Sequence, residues 1–65
     1  MKLEDLKVGQ EYFATKGFWK FKVLEVTLID AKVEHAGGVA LLDRDRVPEL
    51  GVTPYEEYAS RKILK

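Results

Sequence analysis

The chain has 65 residues, 46% of them hydrophobic and 34% charged, with eleven basic and eleven acidic side chains and no cysteine. That is one folded domain rather than a disordered segment. Disulfides and cysteine-ligated zinc are excluded, and a net charge of zero removes the overall positive field on which most nucleic-acid binding rests. No apolar run follows Met1-Lys2-Leu3-Glu4-Asp5, so no secretory leader is expected. No stretch approaches the roughly 20 apolar residues of a membrane span. The expectation is a complete small cytoplasmic protein.

Leu3 to Val8 is too short for an independent helix. It reads as a single turn or an extended lead-in that tucks Leu3, Leu6 and Val8 against the rest. Gly9 punctuates the entry to a first strand, Gln10 to Thr15, with Tyr12 and Ala14 on one face and Phe13 and Thr15 on the other. Gly17 is expected to supply the positive φ of a tight hairpin, and Phe18 to start the second strand.

That second strand, to Thr27, is the most strongly strand-like run. Its start asks for Trp19, Phe21 and Val23 inward, and its end asks for Leu24 and Val26 inward. Both hold only if the strand bends or bulges near Val23 to Glu25. A third strand is read at Ala31 to His35, a hairpin at Gly37-Gly38, and a fourth strand at Val39 to Asp43. Arg44-Asp45-Arg46 is a charged turn. Val47-Pro48-Glu49-Leu50 reads as irregular or one turn, with Pro48 pushing Val47 towards extended backbone.

Thr53-Pro54-Tyr55-Glu56 has the pattern of a capping box with proline at the first helical position. A helix is predicted over about residues 54–64. Tyr55, Ala59 and Ile63 form its apolar stripe beside Tyr58, a Glu57–Arg61 pair supports it, and Leu64 falls off the stripe. The fold class is therefore mostly β: a small antiparallel barrel of four to five strands with a C-terminal α-helix.

Val8-Gly9, Tyr12-Phe13-Ala14, Gly17 and Trp19-Lys20-Phe21-Lys22-Val23-Leu24-Glu25-Val26 together resemble the opening of Tudor-like and other SH3-like barrels. The resemblance covers about two-thirds of the chain and implies a small barrel that recognises a partner. In plan, a barrel with a C-terminal helix also resembles the small archaeal chromatin proteins, which are lysine-rich, as this chain is not. Where the Tudor pattern carries an aromatic after the third strand, this chain has Glu34-His35-Ala36-Gly37-Gly38.

Five aromatics, Tyr12, Phe13, Phe18, Trp19 and Phe21, can line a recognition surface or fill the core. Phe18 and Trp19 alternate, so one of them faces outward. Lys16, Lys20, Lys22 and Lys32, extended by Arg61, Lys62 and Lys65, can form a phosphate-binding stripe or a solvated face paired with Glu25, Asp30 and Glu34. His35 stands alone, Ser60 has no nucleophile signature, and Asp43 and Asp45 alternate with arginines that pair them locally. Gly37-Gly38 lacks the context of a phosphate loop.

No enzyme activity, metal or cofactor is expected. The reading is an interaction module that binds a protein partner, or itself as a homodimer. Its surface is the exposed patch on the central strand, with Phe18, Trp19, Lys20, Lys22 and Tyr12 as contact residues. The alternative is a nucleic-acid-binding barrel that uses the Lys20/Lys22 face.

Overall fold

The structure is a computed structural model that describes residues 1–63, with side chains described for residues 1–60. The expected cations Arg61, Lys62 and Lys65, the Glu57–Arg61 pair, and the apolar Ile63 and Leu64 fall outside the described side chains. A 3-10 turn at Leu3–Asp5 precedes β1 (Glu11–Ala14), β2 (Trp19–Val26), β3 (Asp30–His35) and β4 (Gly38–Asp43). A single-turn helix α1 (Arg46–Glu49), strand β5 (Val52–Pro54) and helix α2 (Tyr55–Ile63) complete the chain.

All five strands join one antiparallel sheet in the order β4-β3-β2-β1-β5. β4 and β5 are its two edges and do not pair, so the closed barrel expected from the sequence is not formed. Strand alternation builds the main core on the inner face. Tyr12, Ala14, Phe21, Val23, Ala31, Val33 and Leu42 point there, and Leu3, Leu6, Val47 and Val52 close over them. Val8, expected with Leu3 and Leu6, is 65% exposed instead. The chain turns at Lys7–Gln10 to enter β1, and Val8 lies on the outside of that turn.

The bend in the second strand is present. Lys22 and Val23 pair with Glu34 and Val33, but the next partners are Glu25–Lys32 and Val26–Ala31. Leu24 is the extra residue of a bulge. The inward set thus passes from Phe21 and Val23 to Val26, which packs on the core, while Leu24, expected inward, is left at the surface. The turn that follows, Leu28-Ile29-Asp30, has no glycine, proline or asparagine and is organised by Thr27. Its hydroxyl accepts from the Ile29 and Asp30 amides (3.2 and 3.0 Å) and donates to Asp30 Oδ1 (2.8 Å).

Two corrections concern the C-terminal half. Val47 is helical and fully buried rather than extended. Pro48 sits in the first turn of α1, where its missing amide proton has no helical partner to lose, and burial of Val47 outweighs the steric bias against its helical backbone. Thr53 and Pro54 lie in β5, opposite Phe13 and Tyr12 of β1, and the helix begins at Tyr55 rather than at Pro54. Gly51 makes that path possible. It follows α1 at φ +62, and a Cβ there would sit 2.5 Å from Thr15 Oγ1. That hydroxyl donates to the Gly51 carbonyl at 2.8 Å and ties the end of α1 to the end of β1.

The outer face is graded. α2 lies against β1 and β5, with Tyr58 stacked on Phe13 (centroids 3.9 Å apart). Further along, charged residues alternate in sign across the strands: Glu11–Lys22–Glu34 in one row, Glu25–Lys32 in the next. At the far edge two outward residues of β4 are apolar, Val39 after Glu34 and Leu41 after Lys32, while Asp43 stands opposite Asp30 at the strand's end.

Candidate interaction surface

The five residues singled out on the sequence separate into four environments. Tyr12 is 2% exposed, and its ring stacks on Phe21 while its hydroxyl accepts from the Lys7 amide at 2.9 Å. It belongs to the core and is not available to a partner. The hydroxyl also holds the lead-in segment against β1, which accounts for a tyrosine at that position.

Trp19 is half-buried at the inner mouth of the sheet, tilted against Phe21 (5.1 Å) and edge-on to His35 (5.3 Å). His35 Nδ1 accepts the Gly37 amide at 3.1 Å. Its imidazole therefore organises the β3–β4 turn and supports the indole. Gly17 proves to matter for a reason other than turn dihedrals. The positive φ of this hairpin falls on Phe18 (φ +59), not on Gly17. A Cβ at Gly17 would lie 2.3 Å from Trp19 Nε1 and 2.6 Å from Cδ1. The glycine makes room for the indole. Gly17→Ala is expected to swing Trp19 off its seat at a cost of about 1–3 kcal/mol, the usual range for overpacking. A red-shifted tryptophan emission with a lowered urea midpoint is the predicted result; unchanged emission counts against it.

Phe18 is 74% exposed and left-handed, a backbone conformation uncommon for a bulky side chain. Its amide donates to the Ala14 carbonyl at 2.6 Å, and its ring packs edge-on to Phe13 at 5.4 Å. Phe18 thus stands in the turn and not on the strand face that carries Lys20 and Lys22. From it, an aromatic row runs through Phe13, Tyr58 and Tyr55.

Lys20 ends that row. Its ammonium lies 4.7 Å above the Tyr55 ring and 3.5 Å from Glu11 Oε2. Both partners are at the surface, so the ion pair contributes little. Lys22 lies in register between Glu11 and Glu34, and Lys32 beside Glu25. The lysines form a checkerboard with carboxylates, not a like-signed stripe. Among the described residues, no three His, Cys, Asp or Glu side chains gather as a metal-binding group. Among them, no helix is long and apolar enough to cross a membrane.

No family model, curated protein or solved structure matches this chain.

The feature that residue-by-residue reading passed over is the outer side of β4. Val39 is 56% and Leu41 63% exposed. Val39-Ala40-Leu41-Leu42 is apolar on both faces, and Ala40 and Leu42 already satisfy the core. Such a run in a strand that has only one neighbour was the available signal.

Proposed function

We propose that this protein is a non-enzymatic interaction module that binds a protein partner at the open β4 edge and the apolar outer face beside it. The observation that carries this reading is the exposure of Val39 and Leu41 on a strand with a neighbour on one side only. Soluble proteins usually blunt such an edge with lysine, proline or a bulge. β4 carries none of these between Gly38 and Leu42. An edge of this kind takes a further strand: main-chain hydrogen bonds supply affinity, and alternate side chains supply specificity.

The strand order also supports an SH3-like reading of the fold. A meander of four strands is followed by a fifth strand that returns to lie beside the first. We rank nucleic-acid binding through Lys20 and Lys22 second, because Lys22 lies in register between Glu11 and Glu34 and the Lys20 ammonium lies 3.5 Å from Glu11 Oε2.

A photo-reactive benzoyl-phenylalanine in place of Leu41 tests the reading in cells that produce the chain. It should give a discrete protein adduct, of itself or of another chain. The same probe in place of Lys22 should give none. If positions 39 and 41 both fail to cross-link, the module reading is lost.

A further inference from the structure

We infer that the strand received by β4 is β4 of a second copy, paired antiparallel about a twofold axis that places the two Ala40 residues opposite each other. This rests on the interaction-module reading and names its partner.

The backbone decides which groups are on offer. A two-residue turn closes β3–β4 at His35–Gly38, and beyond the far end the Arg44 amide donates to the Ile29 carbonyl at 2.9 Å. In an antiparallel ladder, successive residues turn their N–H and C=O to opposite sides. Gly38, Ala40 and Leu42 therefore bond to β3. Val39 and Leu41 present theirs to the open edge, and their side chains stand on the outer face.

The side chains then select the register. With Ala40 opposite Ala40, Val39 of each copy faces Leu41 of the other, and four hydrogen bonds form. Each row then reads Lys22, Glu34, Val39, then Leu41, Lys32 and Glu25 of the second copy. Apolar residues meet at the centre, and the charges that flank them, Glu34 and Lys32, are opposite in sign. A twofold at Leu41 instead sets Val39 against Asp43, so one row carries Glu34, Asp43 and Asp30, all acidic. Its central row flanks the two Leu41 residues with lysine on both sides. A twofold at Val39 leaves Leu41 facing Gly37. Only the Ala40 register matches apolar with apolar and alternates the charges. A zero net charge adds no long-range repulsion between copies.

Sedimentation velocity across micromolar to millimolar protein, combined with single-cysteine cross-linking, tests the proposal. The chain has no cysteine, so each substitution adds one defined thiol. In the proposed register the Ala40 residues form a non-hydrogen-bonded pair with Cα atoms about 4.5 Å apart, within disulfide reach. Ala40→Cys should oxidise to a covalent dimer at least tenfold faster than Leu41→Cys or Lys22→Cys. Unmodified protein should show concentration-dependent dimerisation, and Leu41→Lys should weaken it at least tenfold with an unchanged circular dichroism spectrum. If Leu41→Cys cross-links fastest, the register is wrong. If the protein stays monomeric at millimolar concentration and Ala40→Cys reacts no faster than Lys22→Cys, self-pairing is overturned. In that case a Leu41 photo-adduct with a different chain would keep the module reading alone.

Discussion

Phe21→Ala is expected to leave the protein largely unfolded at room temperature. Phe21 is among the largest fully buried side chains and lies on the middle strand of the sheet. Its ring stacks with Tyr12 at 5.9 Å and meets Trp19 at 5.1 Å. Truncation removes the ring from contact with both and leaves a cavity on a strand held between β1 and β3. Phe→Ala changes at such sites cost about 3–5 kcal/mol. A domain of this length has a total stability of roughly 3–10 kcal/mol, at about 0.05–0.15 kcal/mol per residue. The change therefore consumes much or all of it. Urea titration followed by circular dichroism should show a collapsed or absent folded baseline. Phe21→Leu, which keeps most of the apolar volume, should retain a cooperative transition. A Phe21→Ala protein with a midpoint close to the parent would mean that the inner face is not the principal core.

The inner face was the part of the fold most legible from sequence, because its signals are local. Alternation in β2 marked Phe21 and Val23 as inward, and the change of phase after Val23 demanded the bulge that Leu24 supplies. Gly37-Gly38 placed the β3–β4 hairpin at the right position. What failed depended on contacts distant in sequence. β5 is three residues long and exists because β1 offers it an edge; nothing within Val52-Thr53-Pro54 announces it. Thr53-Pro54 carried the start signal of the helix that follows at Tyr55, but not its own pairing with β1. Val47 is drawn into the core against the local bias of Pro48.

The candidate site divides the same way. Composition and alternation could say that Phe18 or Trp19 faces outward, but not that Phe18 leaves the strand altogether through a left-handed turn. Gly17 was read as a dihedral requirement, whereas the constraint is the indole resting on it. Lys20 and Lys22 looked like one basic face until the register set Glu11 and Glu34 on either side of Lys22 and Glu11 within an ion pair of Lys20. Register is a pairing property, and one strand's sequence does not contain it. The same holds for β4: its second apolar face becomes meaningful only once the sheet order leaves it at an edge.

The second large effect expected is the release of helix α2 in Phe13→Ala. Phe13 is buried but stands apart from the main core, on the outer face of β1. It is covered by Tyr58, stacked at 3.9 Å, and by the edge-on ring of Phe18. The helix runs over nine described residues, below the roughly 12–15 that an isolated helix needs in water. Its order must come from docking, and the Phe13–Tyr58 stack is the centre of the dock. The Lys20–Tyr55 contact at its side is exposed and too weak to replace it. Phe13→Ala should therefore remove helical signal and speed amide exchange from Tyr55 onward while β2 and β3 stay protected. The opposite pattern, global destabilisation with the helix still protected, would place Phe13 in the main core. Tyr58→Ala should reproduce the helix loss, and the double variant should show coupling of about 0.5–1.5 kcal/mol between the rings. Because α2 covers β1 and β5 and leaves β4 bare, neither variant should alter cross-linking through Ala40→Cys. Loss of that cross-link on helix release would show that the helix end of the sheet, and not β4, carries the association.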